Sequence, residues 1–352
     1  VKGDERMKRY ILLVMLSMLV FVGCSNDEDA ERQVTDHSKN DTTEKEREPI
    51  EVEEKERFPL TGIETDEVPT QRFINVMVNN HPRARPQSGL SQADMVFEIL
   101  SEGQTTRLMA MFHSEQPEVV GPVRSARPYY FNLADDYNAL YVYHGAATFI
   151  ENMLKNGAAD HLNGAYYDND RQLFKRESFR VAPHNSYVIF DAIAETAKEK
   201  GYEMETTYEP LTFLSDEEMT GLEGNPANEV TLYYGNESVR YVYQSDTETY
   251  HRYNGQSQTV ELSDSTPIAL DNVFILETYH EIADDVGRRE IDFSSGGDAL
   301  LIQKGVAKEV AWENRDGRII PVQSGEAVGF VPGKTWINVI PTSTGIERVT
   351  VE

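Results

Sequence analysis

The chain has 352 residues and one cysteine, Cys24, set where an apolar run gives way to an acidic one. That placement removes several architectures at once. No intramolecular disulfide can staple the fold, no thiolate cluster can hold a structural metal, and the only thiol lies outside any plausible globular core. The folded part must therefore hold together without disulfide or thiolate-metal staples. The roughly 290 residues after Phe58 are enough to build such a core, divided into two domains.

The residues around Cys24 read as an export signal. Met7-Lys8-Arg9 leads, Ile11 to Val22 is apolar, and Gly23 is small enough for a peptidase to reach the next bond. The apolar run is shorter than the ~20 residues of a spanning helix. Val1 to Arg6 reads as an extension upstream of the usual start. Phe21-Val22-Gly23-Cys24 resembles the bacterial lipobox, which implies a diacylglyceryl group on the Cys24 thiol and a mature chain beginning there. Its acyl chains, with ~0.8 kcal/mol for each buried CH₂, would anchor a soluble domain to the membrane. Residues 1–23 are thus expected to be a signal peptide.

Residues 24–58 are expected to be the lipidated Cys followed by a disordered tether. Ser25 to Phe58 holds thirteen Asp/Glu, six Lys/Arg and few large apolar side chains, too little to offset chain entropy. A solvated helix over Glu44 to Arg57 would serve the same purpose.

Beyond the tether the pattern predicts a mixed α+β chain. An N-terminal α/β layered domain is expected over 59–206, a connection over 207–228, and a mostly antiparallel β domain over 229–352. In the first domain, Phe73–Val78, Asp94–Leu100, Arg107–His113 and Leu140–His144 alternate at strand spacing. Pro128–Tyr137, Thr148–Asn156 and Ser186–Lys200 carry helical spacing, the last with Ser186 as cap and Gly201 as stop. In the second domain, Val230–Tyr234, Val239–Tyr243 and Thr249–Tyr253 are separated by turn residues. Val273–Thr278, Ala299–Gln303, Val306–Trp312 and Thr335–Ile340 follow.

The formal net charge of −27 argues against a nucleic-acid surface, but it is unevenly divided. Residues 72–184 are nearly neutral because arginines concentrate there. Four short segments hold them: Asn79–Pro86, Glu98 with Glu102–Arg107, Gly121–Pro128, and Arg180–Tyr187. The last two are expected to enter helices, whose first amides and dipole favour anions. Arginine adds a fork that matches carboxylate or phosphate. The expected ligand-binding set is Arg85, Arg107, Arg124, Ser125, Arg127, Arg180 and Asn185. Glu98, Glu102, His144 and His184 are candidates for proton transfer. A competing arrangement of the same residues is a structural ion-pair network of Arg124, Arg127, Glu98 and Glu102. His81, His113, His161, Asp168 and Asp170 lack metal-ligand spacing. HExxH, GxSxG, P-loop and EF-hand patterns are missing, so no metal and no cofactor is expected.

These segments, in this order behind a lipobox, resemble the YerB-like lipoproteins of Gram-positive bacteria. The strings that carry the resemblance begin with Pro59-Leu60-Thr61-Gly62, Asn79-Asn80-His81-Pro82, Ala84 to Leu90, and Ala93-Asp94. They continue through Glu102-Gly103, Thr106-Arg107, Gly121 to Arg127, His144-Gly145 and Pro183 to Tyr187. Gly296-Gly297, Trp312 and Pro332 to Trp336 extend it into the β-rich part. The resemblance implies two domains and a cell-surface lipoprotein, and it implies no reaction. The expected function is therefore a membrane-anchored extracytoplasmic lipoprotein whose arginine-lined cleft binds an anionic envelope polymer or peptide. The alternatives are an envelope enzyme acting on a phosphate- or carboxylate-bearing polymer, and a protein-interaction scaffold presenting the tyrosines of residues 233–253.

Overall fold

The computed structural model describes residues 55–352. The expected signal, Cys24 and nearly all of the tether lie outside the described residues. Its last residues do not belong to a tether: Glu56–Arg57 pairs antiparallel with Glu64–Thr65, so regular structure begins ahead of the expected boundary at Pro59.

The N-terminal part is built on β1 (Ile74–Asn79), β2 (Met95–Leu100), β3 (Thr106–Phe112), β4 (Leu140–Tyr143) and β5 (His161–Asn163). They lie in the order β2-β3-β1-β4-β5, with β1, β4 and β5 parallel and β3 antiparallel to both its neighbours. Three helices accompany them: α1 (Pro128–Asp136), α2 (Thr148–Lys155) and α3 (Ala192–Glu199). Every residue of β1, β2 and β3 is buried because both sheet faces are covered. Met77, Phe97 and Met109 pack with Tyr130, Phe131 and Leu133 of α1 and Ile150 of α2. Val76, Val96 and Leu108, on the other face, cluster with Ile193 of α3.

The clearest expected helix is half wrong. Ser186–Ile189 is a strand, β7, pairing with β6 (Phe174–Arg176) and with Val119–Val120, and only Ala192–Glu199 is helical. Tyr187 and Val188 are buried in strand geometry, so β-branched and aromatic packing overrides the 3.6-residue spacing there.

The C-terminal part supplies β8 (Glu229–Tyr234), β9 (Glu237–Gln244) and β10 (Thr249–Asn254), an antiparallel meander. It then supplies β11 (Asn272–Thr278), β12 (Gly297–Gln303), β13 (Val306–Arg315), β14 (Arg318–Gln323) and β15 (Thr335–Pro341). One pairing departs from the antiparallel expectation. β15 is parallel to β11 on one side and to β2 on the other. β1–β5 and β11–β15, with two short flanking strands, thereby form a single twelve-stranded sheet, while the meander lies in a separate six-stranded sheet and β6 and β7 in a three-stranded one. The meander contributes Leu232, Tyr241 and Tyr250 to the apolar cluster that holds Val96 and Leu108.

The seam is polar at its centre. Glu98 of β2 and Arg252 of β10 are both 0% exposed and paired at 2.8 Å. Glu98 also accepts from Asn80 (3.1 Å), Thr106 (2.9 Å) and the Trp336 indole (3.0 Å). The Arg252 guanidinium lies 4.7 Å from the Trp336 ring centroid and donates to Asn254 and Thr259. These partners offset the cost of burying the ion pair, although Arg252 Nε has no hydrogen-bond partner among the described residues.

Candidate functional site

Backbone pairing draws three of the four arginine-bearing segments, with His144, to the C-terminal ends of β1 and β4. Asn79 N–H donates to Pro122, Arg124 N–H to Met77, and Val123 N–H to Ser186. His144 N–H donates to Arg124 and Ala126 N–H to Gly145. The ends of parallel strands are where open sheets present ligand sites.

The named side chains then separate into three groups. In the first, each guanidinium already has a carboxylate partner. Glu102 sits between Arg107 (2.8 Å) and Arg127, whose guanidinium closes on its other oxygen. Burial alone would raise the Glu102 carboxyl, but the two guanidiniums outweigh it and hold it below the usual carboxylate range. Arg107 is pulled down to about 10, first by burial and then by Arg127. It also donates to the Ser125 carbonyl at 2.6 Å. Arg85 forms a two-pronged pair with Glu237 of β9 and donates to Asn80. The expected structural network exists for Arg127 and Glu102, with Arg107 as its third member. Glu98 belongs instead to the seam with Arg252.

The second group surrounds Arg124. This guanidinium is half-buried, and among the described residues it has no carboxylate within ion-pair distance; its one side-chain contact is Ser125 Oγ at 3.5 Å. Burial, then Arg127, lowers its pKa. His81 and His184 stack with ring centroids 4.7 Å apart. Their tautomers follow from their partners. His81 Nδ1 accepts the Arg83 N–H (3.1 Å). Asn79 accepts the His81 N–H through Oδ1, so its Nδ2 donates to His184 Nδ1 (3.0 Å). Each neutral ring therefore carries its proton on Nε2, where no hydrogen bond among the described residues uses it. Burial lowers both pKa values, with Arg83, Arg85 and Arg124 adding at His81, and His81 and Arg124 at His184. Arg180 donates to Tyr187 Oη and the Pro86 carbonyl, both at 2.6 Å, and has no carboxylate partner among the described residues. The result is a surface rich in donors.

The third group is the cluster at His144. Its Nδ1 is 2.7 Å from Ser186 Oγ, and its Nε2 is 3.4 Å from Arg176 Nη2. Arginine only donates, so Nε2 accepts and Nδ1–H donates to Ser186. That polarity is the reverse of what a base activating a serine requires. Arg176 is clamped by Asp168 (2.6 Å) and donates to Asn185 Oδ1 (2.8 Å), which occupies the acceptor of that expected ligand residue. Among the proton-transfer candidates, Glu98 is fully buried and Glu102 is held ionised by two arginines. His144 and His184 remain near Arg124, which contributes to the lowered pKa of each.

Sequence reasoning passed over His81 as a donor, and over Arg176, Asp168 and Ser186 as the surroundings of His144. The string Asn79-Asn80-His81-Pro82 was a usable signal, since an Asn two residues before a His can fix both the turn and a neighbouring ring. Among the described residues no group of His, Cys, Asp and Glu is placed to hold a metal ion, and no helix is long and apolar enough to cross a membrane.

Comparison with known proteins matches this geometry to a two-domain family. Residues 60–203 match the N-terminal domain, and residues 229–337 the C-terminal domain, of a protein of unknown function (DUF3048). A protein of Bacillus subtilis (strain 168) carrying the name "Putative lipoprotein YerB" is 44% identical over 293 residues, 81% of this chain and 86% of that protein. The crystal structure of YerB protein from Bacillus subtilis superposes with a TM-score of 0.77 at 41% identity, covering 84% of this chain and 99% of that one.

Proposed function

The chain belongs to the two-domain DUF3048 family of proteins of unknown function, and from that premise we propose that it is a membrane-anchored extracytoplasmic lipoprotein that binds an anionic cell-envelope group at Arg124. The anchoring half rests on Cys24 in its lipobox-like setting and on the lipoprotein name of the relative. The binding half rests on one observation. Among the described residues Arg107, Arg127 and Arg85 hold carboxylates and Arg124 does not, and Arg124 is near enough to His81 and His184, each with an available Nε2–H donor, to lower the pKa of both.

Carboxylate or phosphate oxygens suit such a surface, because charge-assisted hydrogen bonds to a partly desolvated guanidinium are stronger than neutral ones. Isothermal titration with purified teichoic acid, and separately with wall peptide, tests the reading. Arg124→Ala is expected to weaken binding about ten- to hundredfold, in line with hydrogen bonds to charged groups. Arg127→Ala is expected to act on stability first, because it breaks the pairing with Glu102. Equal affinity for wild type and Arg124→Ala would end the proposal. Anchoring is tested separately: Cys24→Ser should move the protein from the membrane fraction to the medium.

A further inference from the structure

A hairpin loop near Arg124 leaves large apolar side chains uncovered. Residues 177–185 join β6 to β7. Phe179 is 59% and Val181 71% exposed, and Ala182 and Pro183 after them are exposed as well. The loop is fastened in a way that keeps them out. Glu177 N–H donates to the Asn185 carbonyl (2.9 Å) and Asn185 Nδ2 to the Glu177 carbonyl (3.3 Å), closing the base. His184 N–H donates to the Val181 carbonyl (3.0 Å), which turns the tip. Arg180, between the two apolar residues, donates to Tyr187 Oη and to the Pro86 carbonyl, and the His184 ring stacks on His81. The hairpin loop and the loop after β1 therefore form one fixed surface.

The charge of that surface is opposite to that of the chain. Residues 79–89 hold no carboxylate, and residues 177–185 hold one, Glu177, which pairs with Lys175 (3.1 Å). Arg85 is taken by Glu237. Arg83, Arg124 and Arg180 have no carboxylate partner among the described residues, and Arg83 is exposed. Arg83 and Arg124 are both near enough to His81 and His184 to lower the pKa of each, which places these cations around one spot.

Unpaired cations beside exposed apolar side chains match an amphiphile with a negative head. We propose that residues 177–185, with the loop after β1, form a membrane-docking surface, on which the phosphate of an anionic phospholipid meets Arg83, Arg124 and Arg180 while Phe179 and Val181 enter the lipid interface. This names the class of anion for the Arg124 site and rests on that site's binding one. An aromatic ring and a branched aliphatic side chain suit the headgroup boundary, and neighbouring arginines add attraction to anionic lipid. The net charge of −27 orients the molecule, because the acidic remainder is repelled by the lipid that this face approaches. A protein partner fits less well: a stable interface takes ~20–30 residues a side, whereas Phe179 and Val181 are the only large apolar side chains exposed on these two loops.

The N-terminal segment through Cys24 would attach the full-length chain to any vesicle, so the readout is placed on the loop itself. Phe179→Trp makes the loop fluorescent, while Trp312 and Trp336, both 0% exposed, give a constant background. On phosphatidylglycerol vesicles its emission is expected to move to shorter wavelength and to be quenched by lipid brominated on the acyl chain. On phosphatidylcholine vesicles it is expected to stay that of an exposed indole. Arg83→Ala in the same chain leaves the loop's hydrogen bonds in place and is expected to lower the docked-to-free ratio about fivefold, the effect of one arginine near an anionic surface. An exposed indole on both vesicles would overturn the docking and leave the loop to a protein partner. Equal shifts on both vesicles, or a shift indifferent to Arg83→Ala, would overturn the part given to the anionic head. The Arg124 site is read separately, by the titration with teichoic acid. Arg124-dependent binding there with no shift at position 179 overturns the docking alone, and binding indifferent to Arg124 overturns the anion site and this proposal with it.

Discussion

At the residue scale, the same residue type has three different roles. Arg252 neutralises a buried carboxylate, Arg107 and Arg127 share one, and Arg124 has none among the described residues. The cost of disturbing each differs accordingly. Glu98→Gln would leave Arg252 charged and unpaired at zero exposure, and such losses are typically worth about 3–5 kcal/mol. Urea denaturation should show that loss, and a change below about 1 kcal/mol, the level of exposed pairs, would mean the pair is not holding the seam. The imidazoles make a separate prediction about pH. His81 faces Arg83, Arg85, Arg124 and Glu237, while His184 faces His81, Arg124, Arg83 and Arg180, and both have folded pKa values below the ordinary 6.5. Without ligand, the unfolded chain takes up protons first, so stability falls as pH drops through about 6.5. A bound anion reverses the local field and raises both pKa values, so binding takes up protons. Anion affinity is therefore expected to rise as pH is lowered from about 7.5 to about 5.5. His81→Gln with His184→Gln should flatten that rise, and a flat profile in wild type would remove the histidines from the site.

At the element scale, what was legible depended on whether a segment's partner was local. β1, β2, β3, α1 and α2 stand within a residue or two of their expected places, because alternation and helical spacing report burial directly. The segment from Ser186 failed because Ile189, Ile193 and Ala197 share a helical face while Ser186 to Ile189 is held by β6 and Val119–Val120, remote in sequence. The site shows the same limit. That Arg124 and Arg127 were close could be read from the string GPVRSAR. That Glu102 takes Arg127 and leaves Arg124 depends on where the turn between β2 and β3 lands. Turns also carry the seam. Gly333, just ahead of β15, has φ +143, and a Cβ there would lie 2.0 Å from Asp271 Oδ2, the atom that accepts Lys334 N–H. Gly333→Ala is expected to lower stability by about 1–3 kcal/mol, visible as a drop in Tm. An unchanged Tm would show that the turn can relax.

At the scale of the whole molecule, two domains share one sheet. The first domain's β2 has the second domain's β15 as its outer neighbour, and the Tyr234 hydroxyl donates to the Glu98 carbonyl across the seam. Denaturation should therefore proceed in one transition by both fluorescence and circular dichroism. Two resolved transitions, or a fragment of residues 59–206 that folds alone, would contradict a shared core.

The position of β15 also sets the timetable of folding. β2 lies near the beginning of the folded body and waits for a neighbour some 240 residues later in the sequence. Until residues 335–341 are available to pair, an apolar strand edge stands open to any passing extended chain. A molecule interrupted before that point would be sticky as well as incomplete, which places the greatest demand on chaperones and proteases at the last step of its folding.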